Sequence, residues 1–383
     1  MARLGDYIEQ IRGVSYKPED VCSSTDIDAV AILRANNIQD DELNFDDLVY
    51  VKKSKVHEKQ YIQKGDIVVC ASSGSKNLVG KAAVAKENML ISFGAFCKVV
   101  RPMGLFPKYI GHFFQSPKYR STISELSGGA NINNIRNEHI DELDIVLVSE
   151  EEQERIINEL DAISSLIFLR KQQLAKLDEL VKSRFIEMFG GIKDDEKVTL
   201  SDICLIITDG THQPPKFTTT GIPFLFVSNI VGNTITYDAE KFISEETYAE
   251  LIKRTPIEIG DVLLSTVGSY GHPAVVKSDK PFCFQRHIAY LKPSKELIDS
   301  QYLHGAMLSV DVQKQIEERV KGIAQKTLNL SEIRKIKLPL PTMDKQKQFA
   351  AFVQQIDKSK VEIQKSLNQL ETLKKALMQK YFG

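Results

Sequence analysis

The chain has 383 residues, 42% hydrophobic and 26% charged, with a formal net charge of −1 at pH 7. That is enough apolar material for two or three soluble domains. It argues against a uniformly basic nucleic-acid coat but leaves room for a local basic face. The five cysteines, Cys22, Cys70, Cys97, Cys204 and Cys283, are scattered with no CxxC pair, which speaks against a disulfide framework or zinc site and fits a reducing cytoplasm. Cys70 in "DIVVC" and Cys283 in "PFCF" read as small buried hydrophobes.

The N-terminal "MARLGDYIEQIRG" lacks an apolar leader core, and no 18-residue apolar run follows it. The expectation is a cytoplasmic chain without a membrane span. Polar loop stretches come next, "LRANN" (33–37) and "KKSK" (52–55), then the strand-like "IQKGDIVVCASSG" (62–74). The loop "GSKNLVGKAAV" resembles a phosphate loop only superficially. Five residues, not four, separate Gly74 from Gly80, and Ala82 stands where a magnesium-binding hydroxyl belongs. A glycine-containing hairpin tip is the better reading. "FGAFCKVVRP" and the helical pattern "YIGHFFQSPKYRSTISEL" complete a first mixed α+β domain, expected over residues 1–126.

Residues 127–190 form a helical region. A short strand-like run, Leu143 to Val148, precedes a plausible N-cap at Ser149 and a long helix over about 150–189. Leu160, Ile163, Ile167, Leu174, Leu177 and Val181 follow a 3-4 rhythm interrupted by Arg170. The segment ends "VKSRFIEMFGG", which reads as a terminus in mid-chain.

The explanation is a repeat. A shift of 193 residues lays Phe189-Gly190 on Phe382-Gly383, Gln153 on Gln346 and Ile163 on Ile356. Upstream, "IQKGDIVVCASSG" matches "IEIGDVLLSTVG" (257–268), and "FGAFCKVVRP" matches "FQRHIAYLKP" (284–293). A second domain is expected over 197–320 and a C-terminal helical region over 321–383. In that region "LPLP" favours an extended connector, Thr342 is the N-cap candidate, and a helix covers about 343–381. Its stripe is Val353, Ile356, Ile363, Leu367 and Leu370, interrupted by Lys360 and Lys374. Each helix is about 60 Å long and needs a partner for its stripe; the economical one is the other helix, as an intramolecular coiled coil.

Covalent chemistry finds no support. "HQPPKF" (212–217) resembles the Asp/Asn-Pro-Pro-aromatic signature of amino-methyltransferases, but Gln and Lys replace its end residues and no Gly-rich cofactor loop precedes it. The seven histidines are isolated, and no nucleophile–base pair emerges. What remains is a polar, mildly basic loop inventory of the kind that reads base edges and holds phosphates. In the first domain it comprises Arg34, Asn36, Asn37, Lys52, Lys53, Ser72, Ser73, Ser75, Lys76 and Asn77. In the second it comprises Thr211, His212, Gln213, Lys216, Ser228, Asn229, Ser269, Tyr270, His272, Gln285 and Arg286.

The complete pattern resembles the specificity subunit of type I restriction–modification systems. The resemblance rests on the two "GD(I/V)" strands, on "DGTHQPP" opening the second domain, and on the paired connectors "GGANINNIR…DIVLVSEEEQERI" and "KTLNLSEIRKIKLPLPTMDKQKQF", each leading to a Phe-Gly end. It implies two tandem-duplicated α+β target recognition domains separated by two long helices forming an antiparallel coiled coil. Each domain would bind one half of a split, asymmetric sequence in double-stranded DNA, with the helices setting the spacer. It also implies two methyltransferase subunits and restriction/motor subunits as partners. S-adenosylmethionine, ATP and magnesium would sit in those partners, with no cofactor on this chain. A coiled-coil scaffold with protein-binding heads is the alternative.

Overall fold

The computed structural model describes all residues except 40, 76, 129–132, 194–195 and 323–325. The chain divides into two units, one made of residues 1–171 and 365–383, the other of residues 172–364. Each therefore combines a globular part with half of each long helix.

In the first unit a four-stranded antiparallel sheet has the order Ile8–Arg12, Cys97–Pro102, Ile67–Cys70, Ala82–Val84. Beside it, Ala29–Leu33 pairs parallel with Ile91–Phe93 and antiparallel with Val49–Lys52. The second unit repeats both sheets. Cys204–Asp209, Ile288–Pro293, Val262–Ser265 and Pro273–Val275 form the four-stranded one, and Ile222–Leu225 pairs parallel with Cys283–Phe284 and antiparallel with Lys241–Ile243. The central "IVVC" and "VLLS" strands are buried on both faces, which is why they read as unbroken apolar runs rather than alternations. Ile67 and Val69 face a core that holds Tyr109 and Phe113, while Val68 and Cys70 face one that holds Leu33 and Phe93.

The "GD" signature preceding those strands has a structural meaning. Gly65 and Gly260 adopt φ +89° and +98°, a region that favours glycine. Asp66 and Asp261 then accept from the Gln63 and Glu258 backbone N–H groups, each at 2.8 Å. Both carboxylates are buried and meet cations: Arg101 donates to Asp66 from Nε and Nη2 at 2.7 Å, and Lys292 lies 3.5 Å from Asp261. One buried carboxylate in each unit thus meets one cation, and the Tyr290 hydroxyl also donates to Asp261 at 2.7 Å, as burial requires.

The connectors belong to the globular cores. Ala2–Arg3 pairs with Asp144–Ile145, and Lys197–Thr199 with Lys337–Pro339, so the prolines of "LPLP" sit in or beside a two-stranded ladder. The long helices run Glu150–Phe189 and Met343–Phe382. Ser149 Oγ accepts from Glu152 N–H at 3.3 Å, and Thr342 offers its carbonyl to Gln346 N–H.

Helix pairing is antiparallel in each unit. In the first, Glu159 accepts from the Tyr381 hydroxyl at 2.5 Å, and Ile156, Ile157 and Leu160 share a core with Met378, Tyr381 and Phe382. In the second, Asp178 pairs with Lys360, and Phe185 lies 5.4 Å from Phe349. Leu160, Ile163, Val353, Ile356, Ile363 and Leu367 are buried, and Ile167, Leu174, Leu177, Val181 and Leu370 are half-buried. Lys360 interrupts the stripe without breaking it because its ammonium reaches the Asp178 carboxylate. Phe382 ends the second helix inside the first unit's core, 5.2 Å from Tyr109, and Phe189 ends the first helix against Tyr302, 5.0 Å away, in the second unit.

Candidate nucleic-acid interface

Backbone hydrogen bonds gather four loops at one end of the second unit's sheet. Thr211 N–H donates to Phe284 O (3.1 Å) and Arg286 N–H to Thr211 O (3.1 Å), joining 209–213 to 284–287. Thr266 N–H donates to His287 O, and Leu328 N–H to Thr266 O, bringing in 266–270 and 326–328. Gly210 permits the closest approach: a Cβ there would lie 2.2 Å from the Phe284 carbonyl oxygen. The first unit builds the same junction. Val14 N–H donates to Phe93 O, Ala71 N–H to Phe96 O and Ile135 N–H to Ala71 O.

Thr211, His212, Gln213, Ser269, Tyr270, Gln285 and Arg286 therefore converge, as their spacing alone could not establish. Arg286 is exposed, and its Nε lies 3.4 Å from His287 Nε2. Burial, and then the Arg286 charge, depress the His287 pKa, which favours the neutral ring with one donor and one acceptor nitrogen. Tyr270 is engaged within the protein, its hydroxyl donating to Glu317 at 2.5 Å while Lys326 donates to it at 3.3 Å. His272 is half-buried and turned toward Asn233, Nδ1 to Oδ1 3.1 Å. Lys216 and Ser228 are exposed.

In the first unit Ser72 and Ser73 form a short ladder with Asn134 and Asn133, and Ser75 and Asn77 are exposed. Lys76 lies outside the described residues. Lys52 and Lys53 are exposed. Arg34 donates to the Asp47 carboxylate at 2.7 Å and carbonyl at 2.8 Å, and Asn36 also reaches that carboxylate, at 3.4 Å.

Two candidates are corrected. Asn37 and Asn229 are 1% and 7% exposed, and both spend their amides on backbone. Asn37 Oδ1 accepts from Arg34 N–H (2.8 Å) and Nδ2 donates to Asp46 O (2.8 Å). Asn229 Oδ1 accepts from Phe226 N–H (2.9 Å) and Nδ2 donates to Asp238 O (3.0 Å). They hold equivalent turns and have no edge left for a base.

Other residues at the two ends went unnoticed in the sequence. Arg254 donates to Asp209 at 2.5 Å from a segment far along the chain, beside the second "GD" strand. Lys326 sits on the Tyr270 ring, 5.7 Å from its centroid. The first unit presents exposed Arg12 and Phe96, the latter 65% exposed. Duplication could have flagged Arg12 and Phe96, which occupy the places of Asp209 and His287. The assembled ends can donate and accept hydrogen bonds and attract anions; no nucleophile–base pair is among them.

A family model described as the type I restriction modification DNA specificity domain matches residues 1–179 and again residues 192–372. The chain is 32% identical over 272 residues to the type I restriction enzyme EcoKI specificity subunit of Escherichia coli K12, covering 67% of this chain and 58% of that protein. It is 43% identical over 173 residues to the StySPI specificity subunit of Salmonella potsdam, covering 45% of this chain and 37% of that one. The chain thus spans less than two thirds of the length of these relatives. A type I restriction–modification S subunit from M. genitalium superposes with TM-score 0.55 at 16% identity, covering 100% of this chain and 95% of that one. A chain from a study of complex assembly and conformational transition of the type I R-M system gives 0.54 at 17% identity, covering 100% and 96%. At these identities the likeness is one of fold.

Proposed function

The chain belongs to the type I restriction–modification DNA specificity family, and from that premise we propose that it is a non-catalytic subunit reading a bipartite, asymmetric site in double-stranded DNA. Each unit reads one half-site through its loop end, and the paired helices set the number of unread base pairs between the halves. The observation that carries this is the coincidence of two family-model matches with two units of repeated topology, each ending in a polar loop junction.

Two methyltransferase subunits and the restriction/motor subunits are the proposed partners. They would hold the S-adenosylmethionine, ATP and magnesium that methylation and cleavage need, and this chain would supply the address. Among the described residues no helix is long and apolar enough to cross a membrane.

Single-molecule sequencing of methylation tests the proposal in cells carrying this chain with a type I methyltransferase subunit. A bipartite motif with a fixed gap, present only when the chain is present, is the expected result. Exchanging residues 197–320 for another recognition domain should replace one half of that motif, and inserting a few residues in both helices should change the gap alone. A continuous motif would remove the spacer role. No new motif, with the methyltransferase active, would leave a protein-binding scaffold.

A further inference from the structure

We propose that Arg254 is a base-reading side chain of the second unit, held by Asp209 as a positioning residue, and that its ligand is the O6/N7 edge of a guanine in the major groove. The inference deepens the function proposed above and rests on it. Asp209 ends the strand Cys204–Asp209 and stands one residue before Gly210, at the loop junction. Its side chain is 14% exposed and uses both oxygens: Oδ1 accepts from Arg254 Nη2 at 2.5 Å, and Oδ2 lies 3.0 Å from His212 Nε2. Thr208 Oγ1 and His212 Nε2 also approach Arg254 Nη2, each at 3.5 Å. Every close contact of the guanidinium is thus made through one nitrogen. Its Nη1 and Nε hydrogens have no acceptor among the described residues, and the side chain is 52% exposed.

A guanidinium fixed on one side and open on the other is suited to guanine. The O6/N7 pair is a neutral double acceptor that matches two parallel N–H donors; with one Nη2 hydrogen given to Asp209, the other Nη2 hydrogen and the Nη1 or Nε N–H parallel to it make that fork. A carboxylate behind the fork limits its rotamers, so less entropy is lost when the base arrives. The same carboxylate argues against phosphate, because Asp209 cancels the charge that would attract an anion and repels the anion itself.

Comparison of the units separates this pair from the framework. Ion pairs that hold the fold recur: Asp66 with Arg101 is matched by Asp261 with Lys292. The Arg254–Asp209 pair does not recur. Its counterparts are Lys59 and Arg12, two cations, and Lys59 turns instead to Glu9 at 2.9 Å. A contact present in one unit and replaced in the other by an incompatible pair is not required by their shared topology, and differences between the halves are what an asymmetric target demands.

The test uses the complete complex with its methyltransferase. Motif sequencing and competition binding would compare wild type with Arg254→Lys, Arg254→Gln and Asp209→Ala, the last two guarding against a single variant that fails to fold. The half-site of the second unit, identified by the exchange of residues 197–320, should contain a G·C pair whose discrimination falls roughly tenfold or more in all three variants, with other positions unchanged. Loss confined to one base pair is a result that weakened packing alone would not give. An unchanged motif, or a half-site without G·C, would overturn the assignment. So would a uniform fall in affinity with a shallower salt slope, which marks a phosphate contact. A wild-type complex that leaves no bipartite motif would instead defeat the underlying function before any variant is read.

Discussion

Asn37 in the first unit and Asn229 in the second hold the same turn with the same amide bonds, whereas Arg12 and Asp209, at equivalent strand positions, carry opposite charges. The contrast recurs throughout. Tyr109 donates to Val146 O at 2.8 Å, as Tyr302 does to Pro339 O at 2.6 Å. Ser116 and Ser309 cap corresponding helices. Gln153 is 3% exposed and accepts from Phe106 N–H, and Gln346 is 1% exposed and accepts from Asp299 N–H. At the loop ends, by contrast, Gly94, Ala95 and Phe96 correspond in the repeat to Gln285, Arg286 and His287. Repeated side-chain roles therefore mark the scaffold, and, on the function proposed above, unrepeated ones mark where the two units would recognise different sequences.

The largest expected effect tests the scaffold side. Phe382→Ala removes a fully buried ring from the first unit's core and Phe189→Ala one from the second's, each costing about 3–5 kcal/mol. Hydrogen exchange resolved along the chain should show Phe382→Ala loosening residues 1–145 and Phe189→Ala loosening 197–340. Equal loosening of both regions by either variant would break the picture of two separately built cores.

Next come the unrepeated residues. Arg286→Ala should relax one position of one half-site by about 1–3 kcal/mol and leave the other half unaltered. Equal weakening on all sequences would reassign Arg286 to a phosphate. Arg12 is exposed and has no ion pair among the described residues, unlike the carboxylate-backed Arg254. Arg12→Ala should weaken binding to every sequence alike and lower the salt slope by about one unit, as a salt titration of the assembled complex would show.

The smallest effect is on acid stability. Asp161, in the first unit, accepts from Lys108 at 2.5 Å and lies 2.9 Å from His112 Nε2. The His112 hydrogen bond and then that of Lys108, working against burial, bring its pKa from 3.8 down to about 2. A depressed carboxylate contributes stability above its unfolded pKa and loses it as pH falls through the folded one, here between about 3.8 and about 2. The group is partly exposed, so the contribution is modest. Asp161→Asn should flatten that limb in acid melts monitored in the first unit. The second unit carries Gln354 at the matching position and should not respond.

The sequence by itself determined the duplication, the extent of both long helices and their heptad stripes, because those are local periodicities and repeats written along the chain. Family membership was legible for the same reason: the "GD" strands and Phe-Gly ends recur at a fixed offset, and the structure gives each a mechanical task. Loop chemistry was legible only as an inventory. Asn37 and Asn229 look like base readers because Asn in a polar loop has two uses, and burial alone shows that the amide is already satisfied. Arg254 and Asp209 are 45 residues apart, and no pattern along the chain couples them. Only the sheet order, which sets the strand Cys204–Asp209 beside Ile288–Pro293 and next but one to Val262–Ser265, brings the segment before the second "GD" to the loop it supports. Periodicity is a property of neighbours in sequence, whereas a polar surface is made by side chains that long-range pairing assembles, so tertiary structure decided which polar residues stand free at the loop ends and which are already bound.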